Sequence, residues 1–587
     1  MSDRPVDLLR QWMKAHEVKA LLIPIADPHA SEYIAPHWQY LRYLTGFTGS
    51  AATAIVTPNE ALMWTDSRYW LQAAEELEQL GFSLMKEGEA QVPSPLQWCA
   101  AQDIMTLHAP HDMVTVSLRE EAESAGLELE GISTACLLSE VWPQRPPLPC
   151  EPIKVQDMQW AGVAISDKLQ RLTTHLRQAG VKGYYLINDL ADIAWLLNLR
   201  GSDIEYNPVF IAWLAINVEE GSYTLFTHAE TLMPEAALQL GQCQVKLRAY
   251  NELAMWEYLH SCSYDRTTAP LMLDDGNARR HFPNPVSLWR AKKCKAECEG
   301  LREAMLRDGV ALVQFMRWMN DMRCAGTLPT EMELDQKLTA LRAEQSGFEQ
   351  LSFATIAGYG PHGAIVHYEA SDSTDSQLEP HGLLLLDSGA QYDCGTTDIT
   401  RTLALGTLTE EERRVYTLVL KGHLALQRQH FPQGTTGIQL DLAARQYMWN
   451  EGYDFGHGTG HGVGAHLCVH EGPYQIRKNL RTCTLLPLLE GYTVTDEPGI
   501  YVEGHFGVRI ENTLLTVEAE STAFGKFLQF EVLTLCPYDV EPIDLKALTS
   551  VEIEQINAYH AMLRQLIMPR LYHEADRQWL KQATTPI

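Results

Sequence analysis

The apolar positions of this chain change their period repeatedly, and each change marks an element. Leu8 to Ala15 carries apolar residues at helical spacing, and Ala20 to Pro24 is a short apolar run that reads as a buried strand. Ala51 to Thr57 and Ala61 to Trp64 read as two more strands, followed by a helix from Ser67 to about Gln79. That alternation predicts an α/β module. From Trp142 to Pro152 the chain is rich in proline, which fixes φ and removes backbone donors, so the stretch predicts a stiff connector and a domain boundary.

Beyond the connector the pattern returns. Leu169 to Ala179 is helical in period, and Val181-Lys182-Gly183-Tyr184-Tyr185-Leu186-Ile187 echoes Val18-Lys19-Ala20-Leu21-Leu22-Ile23. The run from Trp195 to Ser202 echoes the one that ends at Gly49-Ser50, again at an offset of about 150 to 160 residues. The expectation is a diverged duplication of a whole domain, too long in period for a solenoid repeat.

The second module fades near Pro283 to Pro285, and a long helix is predicted from about Lys292, with an apolar stripe through Leu301, Met305, Leu312, Phe315, Met316 and Met319. Thr330 with Glu333 is a capping-box signature opening a helix to about Glu344, and Thr409 with Glu412 repeats it before a helix to about His430. Ile438 to about Glu451 reads as another helix, ended by Gly452. Three domains are expected, at 1–152, 153–290 and 291–587.

Composition narrows the function. A chain of 587 residues exceeds one hydrophobic core, and 45% hydrophobic with 21% charged residues is ordinary for globular proteins. The formal net charge of −29 argues against nucleic-acid binding, which needs a basic face, and predicts a self-repelling, soluble surface. The twelve cysteines are scattered singly with no C-x-x-C pair; Cys294 and Cys298 lack partner histidines at zinc-finger spacing. They read as reduced thiols of a cytoplasmic protein. No signal peptide or membrane span is expected, since the N-terminus lacks a basic segment followed by an apolar core and no run approaches 18 apolar residues.

The chemistry concentrates between Leu383 and Asn512. An apolar strand, Leu383 to Leu386, delivers Asp387 to its end, and Asp398 follows eleven residues later in a threonine-rich run with strand propensity. The two strands predict a hairpin whose aspartates face each other across the ladder. The arrangement recurs: Tyr492 to Asp496 leads to Glu497, the chain turns at glycines, and Glu511 returns fourteen residues later. Two carboxylate-bearing hairpins predict a pseudo-two-fold with a site between the halves. Carboxylates gathered in this way cannot all ionise without positive compensation, which a pair of divalent ions supplies. Oxygen ligands with one imidazole suit Mn²⁺, Co²⁺ or Zn²⁺. The loop His457-Gly458-Thr459-Gly460-His461-Gly462 is too rich in glycine for a helical zinc motif, and one of its histidines can be a ligand while the other faces substrate.

These words resemble the pita-bread metallopeptidases, and the order Asp387, Asp398, His461, Glu497, Glu511 is the five-ligand order of that family. Ala364-Ile365-Val366-His367-Tyr368, the His457 loop and Val469-His470-Glu471-Gly472-Pro473 are similar to its aminopeptidase P branch, the Xaa-Pro aminopeptidases. The two N-terminal modules resemble the paired creatinase/prolidase-type domains of the large three-domain cytosolic form. The implied fold is α/β (α+β): two such domains followed by a pita-bread catalytic domain. The resemblance implies hydrolysis of the bond between an N-terminal residue and a penultimate proline, by a hydroxide bridging two metal ions, most often Mn²⁺. It implies that Asp387 binds one ion, Asp398 and Glu511 bridge both, and His461 and Glu497 complete the second. It assigns His470 to the oxyanion and Glu497 to proton transfer, and gives His367 and His457 to the pocket around proline, with Tyr501 and Arg509 assisting more weakly. It further implies a homodimer through the C-terminal domain, and N-terminal modules that limit substrates to short or unfolded peptides. Two alternatives are a prolidase acting on Xaa-Pro dipeptides and a non-catalytic pita-bread binding module for histones or RNA.

Overall fold

The computed structural model describes residues 4–77, 80–260, 262–274 and 277–587. They form two compact units. The first spans Met1–Met158 and Val163–Val286, the second Gln159–Gly162 and Ser287–Ile587.

The first unit contains two large sheets, beside a two-stranded pairing of Lys154–Val155 with Leu199–Arg200. In one, the strands run in the order Ser83–Lys86, Ala61–Thr65, Thr53–Val56, Leu21–Pro24, Thr106–Pro110, Glu128–Ile132. In the other the order is Val245–Ala249, Ser222–Thr227, Trp213–Asn217, Tyr184–Ile187, Cys262–Ser263. Five strands correspond in order and direction. Leu21–Pro24 is antiparallel to Thr53–Val56 and parallel to Thr106–Pro110, just as Tyr184–Ile187 is antiparallel to Trp213–Asn217 and parallel to Cys262–Ser263. The helices after the first strand of each sheet, Tyr40–Thr45 and Leu190–Leu197, both end on a left-handed residue, Gly46 at φ 67° and Asn198 at φ 47°. Glycine and asparagine are the residues that adopt this cap at least cost. The helix expected from Ser67 runs from Trp70 to Glu76; its expected end at Gln79 lies outside the described residues. Between 142 and 152 the chain has no helix or strand beyond the helix end at Val141.

The second unit carries the chemistry. Its long helix is Lys295–Ala325, capped at Cys294 and so beginning three residues later than Lys292; Lys293 instead turns inward to an ion pair. Helices Glu331–Ala343, Glu410–Gln427 and Gly437–Trp449 follow, each opened by a capping box at Thr330, Thr409 or Thr436. The helix expected to reach His430 stops at Gln427, and His430 starts a short strand.

Two strand systems alternate with these helices. Leu383–Ser388 pairs antiparallel with Ile356–Tyr359 on one side and Ile399–Ala404 on the other. Thr493–Asp496 pairs with the start of Asn512–Thr522, which continues the sheet to Gly525–Val532. In both systems an inner hairpin is nested inside the outer pair. It is Ala390–Tyr392 with Gly395–Thr396 in the first and Gly499–Val502 with Phe506–Arg509 in the second. In this register Asp387 does not pair with Asp398 across the ladder. Its partner there is Thr400, and Asp398 sits immediately before the returning strand. Glu511 occupies the same place before Asn512, whose partner is Asp496.

The apolar core beneath the second system includes Val415, Val419, Leu420, Ile500, Val508 and Ile510; that beneath the first includes Leu312, Phe315, Leu334, Leu384 and Leu403. Among the described residues no helix is long and apolar enough to cross a membrane. None of the twelve cysteines, all among the described residues, is joined in a disulfide.

Candidate metal centre

The register just described brings four strand ends together. Asp387 leaves one outer strand, Glu497 leaves the other, and Asp398 and Glu511 stand at the two points of return. The Glu511 N–H donates to the Thr400 carbonyl at 3.1 Å and the Thr400 hydroxyl donates to Glu511 Oε2 at 2.8 Å, which ties the second system to the first. His461 enters on the short strand Gly460–Gly462. Glycine is required at 460, where a Cβ would run into the Thr495 carbonyl. This close approach lets the His461 N–H donate to Thr495 Oγ1 at 3.0 Å and sets the imidazole beside Glu497.

The ligand atoms converge. One atom each from Asp398, His461 and Glu511 lies within 4.8 Å of the others. His461 Nε2 is 3.5 Å from Asp398 Oδ2 and 3.4 Å from Glu497 Oε1. Its Nδ1 is 2.9 Å from the Gly462 carbonyl, the outer hydrogen bond that fixes an imidazole tautomer and leaves Nε2 as the ligating atom. A second group of three candidate ligands, His16, Cys136 and Glu140, is exposed and lacks the burial that marks this one.

Electrostatics give the cluster its character. Burial pushes the Asp398 and Glu511 carboxyls well above the usual range, and the neighbouring carboxylates add to it. Burial likewise pushes the Glu497 carboxyl up to about 7. One cation meets the set: Arg509, buried, donates through Nη2 to Asp387 Oδ2 at 2.7 Å and through Nε to the same oxygen at 3.1 Å. The other oxygen of Asp387, Oδ1, is buried with no hydrogen-bond partner. One guanidinium against four carboxylates, an orphaned carboxylate oxygen and an imidazole with its lone pair turned inward fit a site for divalent cations. The hard oxygen donors with one nitrogen suit Mn²⁺, Zn²⁺ or Co²⁺.

Arg509 does more than neutralise. Its Nη1 donates to the Tyr501 hydroxyl at 2.7 Å, and that hydroxyl lies 2.7 Å from His457 Nε2. His457 Nδ1 is 2.7 Å from the Gly458 carbonyl. Burial, with Arg509 adding to it, lowers the His457 imidazole well below its usual value, so the ring is neutral. A neutral ring with these neighbours donates from Nδ1 and accepts the Tyr501 proton at Nε2. A hydrogen-bonded chain therefore links Asp387, Arg509, Tyr501 and His457, with Arg509 donating in both directions. Nη2 also donates to the Val366 carbonyl at 3.2 Å and so reaches the residue beside His367. His470 lies against His461, ring centroids 4.5 Å apart and nearly perpendicular.

Every residue expected at the site thus lies in the second unit. Asp387, Asp398, His461, Glu497 and Glu511 come together as a cluster, Arg509, Tyr501 and His457 as a hydrogen-bonded chain beside it, and His470 at its edge. His367 is half-buried, one residue from a contact of Arg509. Three supporting residues were not read from the sequence. Glu471, beside His470, is buried between Arg290 (2.7 Å) and Lys293. Arg445 pairs with Asp441 at 2.7 Å and donates to the Phe455 and His457 carbonyls, holding the base of the glycine loop. Glu331 is buried against the segment that carries His367. For Arg445 a sequence signal existed, the i,i+4 spacing of Asp441 and Arg445 on a predicted helix; the other two act across long separations.

Comparison with known proteins gives a consistent picture. A model of metallopeptidase family M24 matches residues 299–518, and one of the C-terminal region of that peptidase matches 526–587. Two models of a creatinase/prolidase N-terminal domain match 5–141 and 144–297. The chain is 36% identical to a probable Xaa-Pro aminopeptidase P of Aspergillus fumigatus, over 99% of this chain and 92% of that protein. It is 34% identical to aminopeptidase P1 of Arabidopsis thaliana, over 99% and 98%. Among solved structures, the X-prolyl aminopeptidase of Caenorhabditis elegans, described as a cytosolic enzyme with a di-nuclear active site, superposes with a TM-score of 0.94 at 32% identity, covering 99% of each chain.

Proposed function

The chain belongs to metallopeptidase family M24, and from that premise we propose that it is a metal-dependent Xaa-Pro aminopeptidase, releasing the N-terminal residue from peptides whose second residue is proline. The observation that carries this reading is the convergence of Asp398, His461 and Glu511 within 4.8 Å, in a chain similar over its whole length to a di-nuclear X-prolyl aminopeptidase.

Asp387, Asp398, His461, Glu497 and Glu511 would hold two divalent ions, Mn²⁺ in our reading; when bound, such ions supply Lewis acidity and lower the pKa of water. The remaining work falls to the chain. Arg509 holds the Asp387 carboxylate turned to the site through its paired N–H donors. His470, at the edge of the cluster, donates to the oxygen on which negative charge develops, a form of stabilisation strongest in a dry site. Glu497 takes the proton released on attack and returns it to the leaving nitrogen. Proline's tertiary amide offers no N–H, so recognition rests on shape. His457, neutral and held by Tyr501, and His367 shape the proline pocket in this reading. The acidic cluster also suits the cationic amino terminus of the substrate.

Beyond the site, our reading includes three domains (1–152, 153–290 and 291–587), a homodimer through the C-terminal domain and a cytoplasmic location. The Caenorhabditis elegans neighbour is described as cytosolic.

The test assays protein purified without added metal, then reloaded, on an Xaa-Pro-Xaa tripeptide beside an Xaa-Pro dipeptide, with metal counted by mass spectrometry. The expected result is about two ions per chain, activity restored best by Mn²⁺, and preference for the tripeptide. Cleavage of the dipeptide alone would replace the reading with a prolidase, and two bound ions without hydrolysis would overturn it.

A further inference from the structure

Glu331 is the first residue of the helix Glu331–Ala343, and its side chain is fully buried. Among the described residues no lysine or arginine pairs with it. Four groups reach it instead. The Tyr359 N–H donates to Oε1 at 2.7 Å, and the Ser376 N–H to Oε2 at 3.1 Å. The Tyr368 hydroxyl donates to Oε2 at 2.9 Å, and His362 Nδ1 is 3.0 Å from both oxygens. All four belong to residues 359–376. That segment has little regular structure, a single 3₁₀ turn at Gly360–Ala364 being its only helix.

A buried carboxylate is expensive, and a helix start needs only the Thr330 cap that is already present. The carboxylate's partners show what it achieves. It gathers both ends and the middle of one irregular segment through charge-assisted bonds, roughly twice as strong as neutral ones. The middle partner, Tyr368, follows His367 directly, and the His362 ring stacks on Tyr368 at 4.4 Å. On the other flank of His367, the Val366 carbonyl accepts from Arg509, the residue that binds Asp387. His367 is therefore suspended between two anchors, Arg509 on the metal-ligand side and Glu331 on the far side.

We propose that Glu331 is a positioning residue for the reaction: by pinning residues 359–376 it holds His367 in place beside the metal-ligand cluster, and so sets the fit of the penultimate proline. The inference rests on the reading of the chain as an Xaa-Pro aminopeptidase. Its test is a double-mutant cycle in the metal-loaded enzyme, with kcat, KM, bound metal and Tm measured on an Xaa-Pro-Xaa tripeptide for Glu331→Gln, His367→Ala and both together. Loss of an outer support of this kind is felt on the scale of about 10- to 100-fold. We expect that loss in kcat/KM for Glu331→Gln with metal content unchanged, and little further loss when it is added to His367→Ala, because both remove the same contact. Glu331→Asp should recover part of the activity. Additive losses in the cycle, or wild-type kcat/KM in Glu331→Gln, would overturn the proposal. If Glu331→Gln does not fold, Tyr368→Phe, which removes one donor and keeps the carboxylate, runs the same cycle with the same two outcomes. Failure of the wild-type enzyme to cleave the tripeptide would sink the underlying function instead, and is read separately in the same assay.

Discussion

Asp308, Asp441 and Glu471 are as deeply buried as Asp398 and Glu511, yet each has a cation of the chain's own beside it. Arg342 grips Asp308 with two bonds of 2.8 and 3.2 Å, Arg445 meets Asp441 at 2.7 Å, and Arg290 with Lys293 encloses Glu471. At the strand ends the chain behaves differently. There four carboxylates share one guanidinium, and Asp398, Glu497 and Glu511 are all pushed toward holding protons. Sequence does not distinguish these acids by residue type or burial. What differs is whether the compensating charge is covalently part of the chain. Internally compensated acids build a scaffold, and uncompensated ones make a site that an outside cation completes.

The comparison is tested most strongly by moving one charge on each side of it. Glu511→Gln should lower hydrolysis of an Xaa-Pro tripeptide by about 10²- to 10³-fold or more, the scale on which loss of a charge-stabilising group is felt. The same change relieves like-charge repulsion in the chelated protein, so its Tm should rise with chelator present and fall with metal bound. A Tm that moves in the same direction in both states would remove the distinction between the two kinds of acid. In the scaffold, Arg342→Met leaves Asp308 buried without its cation, with only the Tyr392 hydroxyl still donating to it, at a cost of about 3–5 kcal/mol by chemical denaturation. That cost should be the same with metal and with chelator, since Asp308 depends on no outside charge.

The smallest effect concerns pH. In the metal-free protein Glu497 titrates at about 7, against 4.5 for an ordinary glutamate. Between these values the folded state binds more protons than the unfolded one, so stability falls as pH rises through that window. Thermal melts of chelated protein should therefore drop between about pH 5 and 7. Glu497→Gln should flatten the decline, and bound metal should abolish it. A chelated protein equally stable across the range would show that these carboxylates are compensated by the chain after all.

The ligand set was legible because it stands in short words at the ends of apolar strands, where a charge is locally out of place. The duplication of the first unit was legible for a similar reason, since strand and helix signals recur with matching cap residues at Gly46 and Asn198. Hidden were features set by long separations. The aspartates were expected to oppose each other, but an inner hairpin intervenes and gives Asp387 the partner Thr400. Arg509 read as a weak accessory, whereas it is the cation bonded to Asp387. Glu331 was not singled out between Thr330 and Glu333 of the capping box, because a local motif accounts for the helix start and says nothing of contacts some 30 to 45 positions away. The helix expected from Lys292 begins later for the same kind of reason: Lys293 is drawn to Glu471, 178 positions on.

The nested hairpins separate two quantities that a linear reading treats as one. The outer registers, Asp387 against Thr400 and Asp496 against Asn512, determine where each carboxylate stands. The second inner turn only consumes chain, and its exposed tip at Glu503 to His505 touches neither register, whereas the first, at Asp393 and Cys394, is packed against the helix Lys295–Ala325, where Arg307 pairs with Asp393 at 2.7 Å. The gap between the ligands of a pair is then a free variable, eleven residues in one half and fourteen in the other. Lengthening such a tip leaves the geometry of the centre alone, while slipping an outer strand by one residue turns its carboxylate to the opposite face of the sheet. That exposed tip is where this architecture can accept added sequence, and the outer strands are where it tolerates none.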